Sequence, residues 1–186
     1  MKKLLTLILA PLCLLGLVAC FPVDPGYGNT VAYAGWSDDP TIADGALNKG
    51  QLTNENGNHL PIFKFDTLDD LNQFKAKYDG VLALDQGYNS VLSFNEALTK
   101  AQWNSEGFFK DHSLLAVYVP ANSGSLRFGV HNIEVTYESV CVYVEQTNRP
   151  ENVTDDMAGW FVLVEIADDE IRNCYAYDAI FVNSEK

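Results

Sequence analysis

The chain has 186 residues, 47% of them hydrophobic, and carries 25 Asp and Glu against 12 Lys and Arg, a net charge of −13. A chain this acidic is repelled by nucleic acid and by anionic lipid headgroups, which excludes nucleic acid as a partner and charge as a means of holding to a membrane. A single domain of about 125 residues is large enough to bury roughly two-thirds of its unfolded surface without metal or disulfide staples.

Lys2 and Lys3 precede an almost wholly apolar run, Leu4 to Val18, which ends in Leu17-Val18-Ala19-Cys20. The run is shorter than the roughly 20 apolar residues that a membrane-spanning helix needs, and Pro11 and Gly16 weaken it further as a permanent helix. It is the hydrophobic region of a signal peptide, and its last four residues resemble the bacterial lipobox. The resemblance implies cleavage between Ala19 and Cys20, a diacylglyceryl group on the Cys20 thiol and an acylated amino terminus. Cys13 follows the bulky Leu12 and does not fit the cleavage position. Each buried methylene contributes about 0.8 kcal/mol, so two or more acyl chains anchor where one does not. Residues 1–19 are thus expected to be a lipoprotein signal peptide, and the mature chain to sit on the extracytoplasmic face of the cell membrane. Its partner there is the lipid bilayer, through acylated Cys20. Loss of residues 1–19 removes two lysines and no acid, leaving ten Lys and Arg against 25 Asp and Glu, a net charge of −15.

Residues 20–58 are rich in Pro, Gly, Asn and Asp and read as the lipidated N-terminus and a flexible tether, in which only Thr30–Trp36 has the composition of a strand, one that could dock on the domain as an edge strand. Asn54–Asn58 faintly resembles a calcium loop but lacks its acidic ligands. Residues 59–186 read as one α+β domain. Leu60–Phe65 suits a short strand. Thr67-x-x-Asp70 and Ser93-x-x-Glu96 are capping-box patterns that open two helices, the first with an apolar stripe at Leu68, Leu71, Phe74 and Tyr78 and an end at Asp79-Gly80. Phe108 and Phe109 are core plugs on a short helical turn. Strands follow at Ser113–Pro120, Leu126–Tyr137 with a kink at Gly129, Val140–Glu145, Trp160–Ile166 and Cys174–Val182. Trp160–Ile166 is apolar on both faces and is expected to be central. The fold class is α+β: an antiparallel β-sheet of four to six strands with two helices packed on one face.

An apolar strand (Leu114–Val119), a Gly-containing loop (Asn122-Ser123-Gly124-Ser125), a Val-rich meander (Val130–Val144), a polar loop with Arg149-Pro150 and a last apolar strand (Trp160–Ile166) occur in this order. Residues 114–167 thereby resemble the C-terminal domain of PrcB-type protease-complex subunits. Gly124-Ser125 stands where that family has a Gly-Gly pair, and Leu126 where it has an aromatic residue. Phe108-Phe109 and Ser123-Gly124-Ser125-x-Arg127 also resemble segments of unassigned lipoproteins of clostridia-like bacteria. The first resemblance implies a non-catalytic protein that engages another extracytoplasmic protein, as a protease-complex accessory or inhibitor-like subunit.

Catalytic signatures are missing from the sequence of the domain. His59, His112 and His131 have no metal-ligand spacing, and neither G-x-S-x-G nor a phosphate-cradling Gly loop occurs. No catalytic residue, metal or cofactor is expected. Cys141 and Cys174 are a candidate disulfide or, the alternative left open, two plain buried apolar residues. The candidate partner-binding residues are Asn122, Ser123, Gly124, Ser125 and Arg127, with Arg149 on the facing loop. Loops at one end of a meander form a rim, and an arginine fork can hold a partner's carboxylate. The alternative to a protein-binding module is an extracytoplasmic hydrolase or carbohydrate-active enzyme with an unrecognised carboxylate site. Cys20→Ala is expected to abolish incorporation of labelled fatty acid and release the chain from membranes; fractionation after labelling checks both.

Overall fold

Two ten-residue strands, apolar on both faces, set the architecture. They are β3 (His112–Ala121) and β6 (Ala158–Ala167), paired antiparallel along their whole length. The computed structural model describes residues 27–52 and 57–183. The signal-peptide segment, Ala19, Cys20 and Asn54–Asn56 of the calcium-like loop lie outside them. β1 (Asn29–Tyr33) adds antiparallel to β6, and β2 (Ile62–Phe65) to β3, giving a four-stranded sheet in the order β1-β6-β3-β2.

Because side chains alternate along a strand, each face of this sheet needs its own cover. One face presents Phe63, Phe65, Leu114, Ala116, Tyr118, Phe161 and Leu163 to two helices, α3 (Leu68–Tyr78) and α4 (Phe94–Ala101). Thr67 caps α3 by accepting the Asp70 amide at 3.1 Å, and Ser93 with Glu96 closes a reciprocal capping box on α4. The α3 stripe is buried at Leu71, Phe74 and Tyr78, as its spacing predicts. The other face presents Leu115, Val117, Val119, Trp160, Val162, Val164 and Ile166 to a second sheet. That sheet has the order β4-β5-β7, from β4 (Phe128–Val135), β5 (Ser139–Gln146) and β7 (Ala176–Val182), and β7 runs parallel to β5. Val140, Val142 and Val144 of β5 and Ala179 of β7 fill the space between the sheets.

The expected α+β class holds, with two helices on one face of an antiparallel sheet. The second sheet on the other face was not anticipated. The Thr30–Trp36 stretch does dock as an edge strand, through β1, and the rest of residues 29–52, assigned to the tether on composition, also belongs to the folded body: α1 (Pro40–Gly45) and α2 (Lys49–Leu52) lie here, and Ala32, Ala34, Ile42, Ala46 and Asn48 are buried. Polar, Gly-rich composition misled because single buried residues, not runs, dock this segment. The β4 irregularity falls between Val130 and Asn132, not at Gly129. Asp168–Ile171 forms one helical turn, α5. The candidate bridge is not formed: Cys141 and Cys174 are free thiols. Cys141 lies opposite Asp178 in the β5–β7 ladder, whereas the Cys174 thiol donates to the Thr136 carbonyl.

Phe161 is fully buried and its ring meets those of Phe63, Phe74, Phe94 and Tyr118. Phe161→Ala is expected to cost about 3–5 kcal/mol, the range for emptying a buried aromatic site. Urea unfolding checks this, with the exposed Val153→Ala as a near-neutral control.

Candidate functional site

The turn after β3 and the loop before β6 meet at one end of the sheets and lock together. Ser123 is buried, and its hydroxyl oxygen lies 2.8 Å from Ser125 Oγ and 2.9 Å from Thr154 Oγ1. The Gly124 amide donates to the Asp156 carbonyl at 2.8 Å. Asn148 accepts the Arg127 amide at 2.7 Å and donates to the Ser125 carbonyl at 2.8 Å. The expected rim therefore exists: Ser123, Gly124, Ser125 and Arg127 are brought against the 148–156 loop, Asn122 is exposed beside them, and Arg149 is exposed on the facing side.

Gly124 does more than turn the chain. A Cβ on it would lie 2.5 Å from Asp156 Oδ2 and 2.6 Å from the Tyr88 hydroxyl. Tyr88 donates a short hydrogen bond to that carboxylate. It is delivered there by a tight turn in which Asn89 and Ser90 adopt φ of 45° and 67°, the left-handed region that side chains other than glycine and asparagine disfavour. The Tyr88 ring stacks on Tyr33 at 5.1 Å, and both meet Trp160 edge-on at 6.1 and 5.4 Å.

Arg127 departs from expectation. Its Nη1 donates to the Gly124 and Leu126 carbonyls at 2.7 and 2.8 Å, and its guanidinium lies 4.8 Å from the centre of the Trp160 ring. It is a clip that fastens the turn to the core, through hydrogen bonds from Nη1 and a cation–π contact. The short separation of Arg127 from Gly124 in sequence hinted at this; the contributions of Tyr33, Tyr88 and Trp160 carried no sequence signal beyond the turn-forming Asn89-Ser90.

Beside the rim a cavity of about 440 Å³ opens between the sheets. Leu60, Pro61, Val119, Leu126, Phe128 and Phe181 make most of its lining apolar, and Asn122, Gln146 and His59 add polar groups. One wall is the 58–60 segment, held along β7 by the Leu60 amide on the Ala179 carbonyl and the Phe181 amide on the Asn58 carbonyl. His59 Nδ1 lies 2.9 Å from the Asp178 carboxylate, which also accepts from Asn48 at 2.7 Å. A second cavity of about 410 Å³ runs between β2 and α3, lined by Phe63, Phe65, Phe74, Lys77 and Tyr78 among others, with Asp70 its one carboxylate.

The other titratable candidates are dispersed. His112 stacks on Phe108 and His131 lies 3.4 Å from Glu145. Burial pushes the Cys141 thiol up, away from a nucleophilic thiolate. Among the described residues no group of His, Cys, Asp and Glu is arranged to hold a metal ion, and no helix is long and apolar enough to cross a membrane. No family model, curated protein or solved structure matches the chain.

Hydrogen bonds from Thr154 and Tyr88 hold the Asp156 carboxyl down at about 2, below its ordinary 3.8. A depressed carboxyl stabilises the folded loop above pH 4, and that contribution fades as pH falls through 2. Hydrogen exchange of the 122–127 amides is expected to quicken between pH 4 and pH 2, after correction for intrinsic rates. Asp156→Asn is expected to show a smaller pH-dependent change.

Proposed function

We propose that the protein is a lipid-tethered extracytoplasmic module, without catalytic activity of its own, whose rim binds a protein partner as an accessory or inhibitor-like subunit of a protease complex would. The observation that carries this reading is the cavity, lined by both apolar and polar groups, beside loops that are already locked. Preformed loops lose little conformational freedom on binding, so more of the contact energy appears as affinity. A cavity of this size and lining fits one apolar anchor side chain, with Asn122 and Gln146 at hand for its flanking backbone. Val153 and Met157 of the facing loop are large, apolar and exposed, and extend the same surface. The resemblance of residues 114–167 to PrcB-type domains supports a protein as the partner.

Placement favours it too. β1 begins next to Tyr27, whose hydroxyl donates to Glu170 after the end of β6, whereas the rim lies at the start of β6. Ten residues of strand separate the two ends, about 33 Å. A chain attached through Cys20 thus carries its rim on the side away from the attachment.

The test is photo-crosslinking on intact cells from position 122, with position 100 on α4 as the control, followed by mass spectrometry. The expected result is one protein recovered from position 122 alone. Leu126→Trp, which fills the cavity, is expected to reduce that recovery about ten- to hundredfold, since burying one apolar anchor is worth about 1.5–3 kcal/mol. Identical profiles from both positions count against the reading.

A further inference from the structure

The two most exposed aromatic rings among the described large hydrophobic residues are Tyr137 and Tyr175, 75% and 74% accessible. They belong to one place in the fold. Tyr137 sits in the β4–β5 connection and Tyr175 just before β7, and the Tyr175 amide and hydroxyl donate to the backbone and side chain of Glu138 at 3.0 and 2.8 Å. Glu170, which receives the Tyr27 hydroxyl, is five residues before Tyr175, and the Cys174 amide folds back onto the Ile171 carbonyl between them. The exposed tyrosines and the start of the described chain therefore share a pole, the one opposite the rim.

Tyr27 is seven residue steps from Cys20, so even a fully extended connection reaches only about 24 Å. With acyl chains on Cys20, Tyr27 at this pole is never more than that from the lipidated residue. Tyrosine has an apolar ring and a polar tip, the combination enriched at the headgroup level of membranes. Resting on the lipid-tethered reading, we infer that Tyr137 and Tyr175 seat this pole in the headgroup layer, so that the domain stands on the membrane with its rim outward. Asp111, Asp168, Asp169, Glu170 and Glu138 crowd the same pole, against Lys110 and Arg172. The surface that fits is a zwitterionic one, and anionic lipid opposes the contact.

The test uses the full lipidated chain labelled with 3-fluorotyrosine in phosphatidylcholine nanodiscs that carry a headgroup nitroxide, with resonances assigned by Tyr→Phe variants. The Tyr137 and Tyr175 fluorine signals are expected to broaden at least fivefold more than those of Tyr33 and Tyr88 at the rim. A tenth to a third of anionic lipid at low salt is expected to reduce the broadening. In Tyr137→Ser/Tyr175→Ser, protection of amides 135–140 from a water-soluble relaxation agent is expected to fall by half or more. Equal broadening at both poles, none at either, or unchanged protection in the double variant overturns the inference while leaving the lipid tether intact. The intact mass of the purified chain separates the premise: absence of a diacylglyceryl group on Cys20 overturns the tether and this inference together.

Discussion

Strands β3 and β6 cannot face water on either side, and the rest of the molecule answers that constraint. Burial of apolar surface stabilises by about 25 cal/mol per Å², so a ladder buried on both faces demands two covering layers. Helices α3 and α4 supply one and the β4-β5-β7 sheet the other. The flanks of β3 and β6 are already taken by β2 and β1, so the last strand cannot join them. It crosses to the second sheet and pairs parallel with β5, the less common arrangement in a sheet otherwise made of a hairpin. Exposed edges are closed by the chain that precedes β2: Leu47 and Asn48 bond the outer groups of Ile62 on β2, and residues 58–60 line β7. Asn48, almost fully buried, joins the Leu60 carbonyl, the Ile62 amide and Asp178, which ties the early segment to both sheets.

What the sequence announced was local. Capping patterns at Thr67 and Ser93, the stripe of α3 and the two-faced apolarity of Trp160–Ile166 each depend on neighbours a few residues apart, and each is present. The partition into two sheets is a long-range choice: Val140, Val142 and Val144 declare that one face of β5 is buried, but not against which layer. The rim was legible as two turn-rich loops after and before long strands. Its internal chemistry was not, because Tyr33, Tyr88 and Trp160 come from three distant stretches and none carries a turn or cap signature. A scarce cation in an acidic chain suggested an outside partner for Arg127; the internal contacts of its Nη1 with two carbonyls and of its guanidinium with an indole face carried no comparable signal.

Trp160 is where the core and the rim become one object. It is fully buried, pairs with Tyr33 on one side and Val119 on the other, and carries Arg127 on its face. Its indole N–H is buried without a hydrogen-bond partner among the described residues, a cost of about 1–3 kcal/mol for a group that a leucine would not present. A residue kept at that cost must return it through its ring. The flat indole offers at once an edge for two tyrosines and a face for a guanidinium, and no aliphatic side chain can do both. The loops therefore take their position in part from a strand buried on both faces, in addition to their own hydrogen bonds. On the proposed reading, a rim built this way would present the cavity beside it in one shape, and selection among partners would rest on which anchor side chain fits and not on how far the loops adapt.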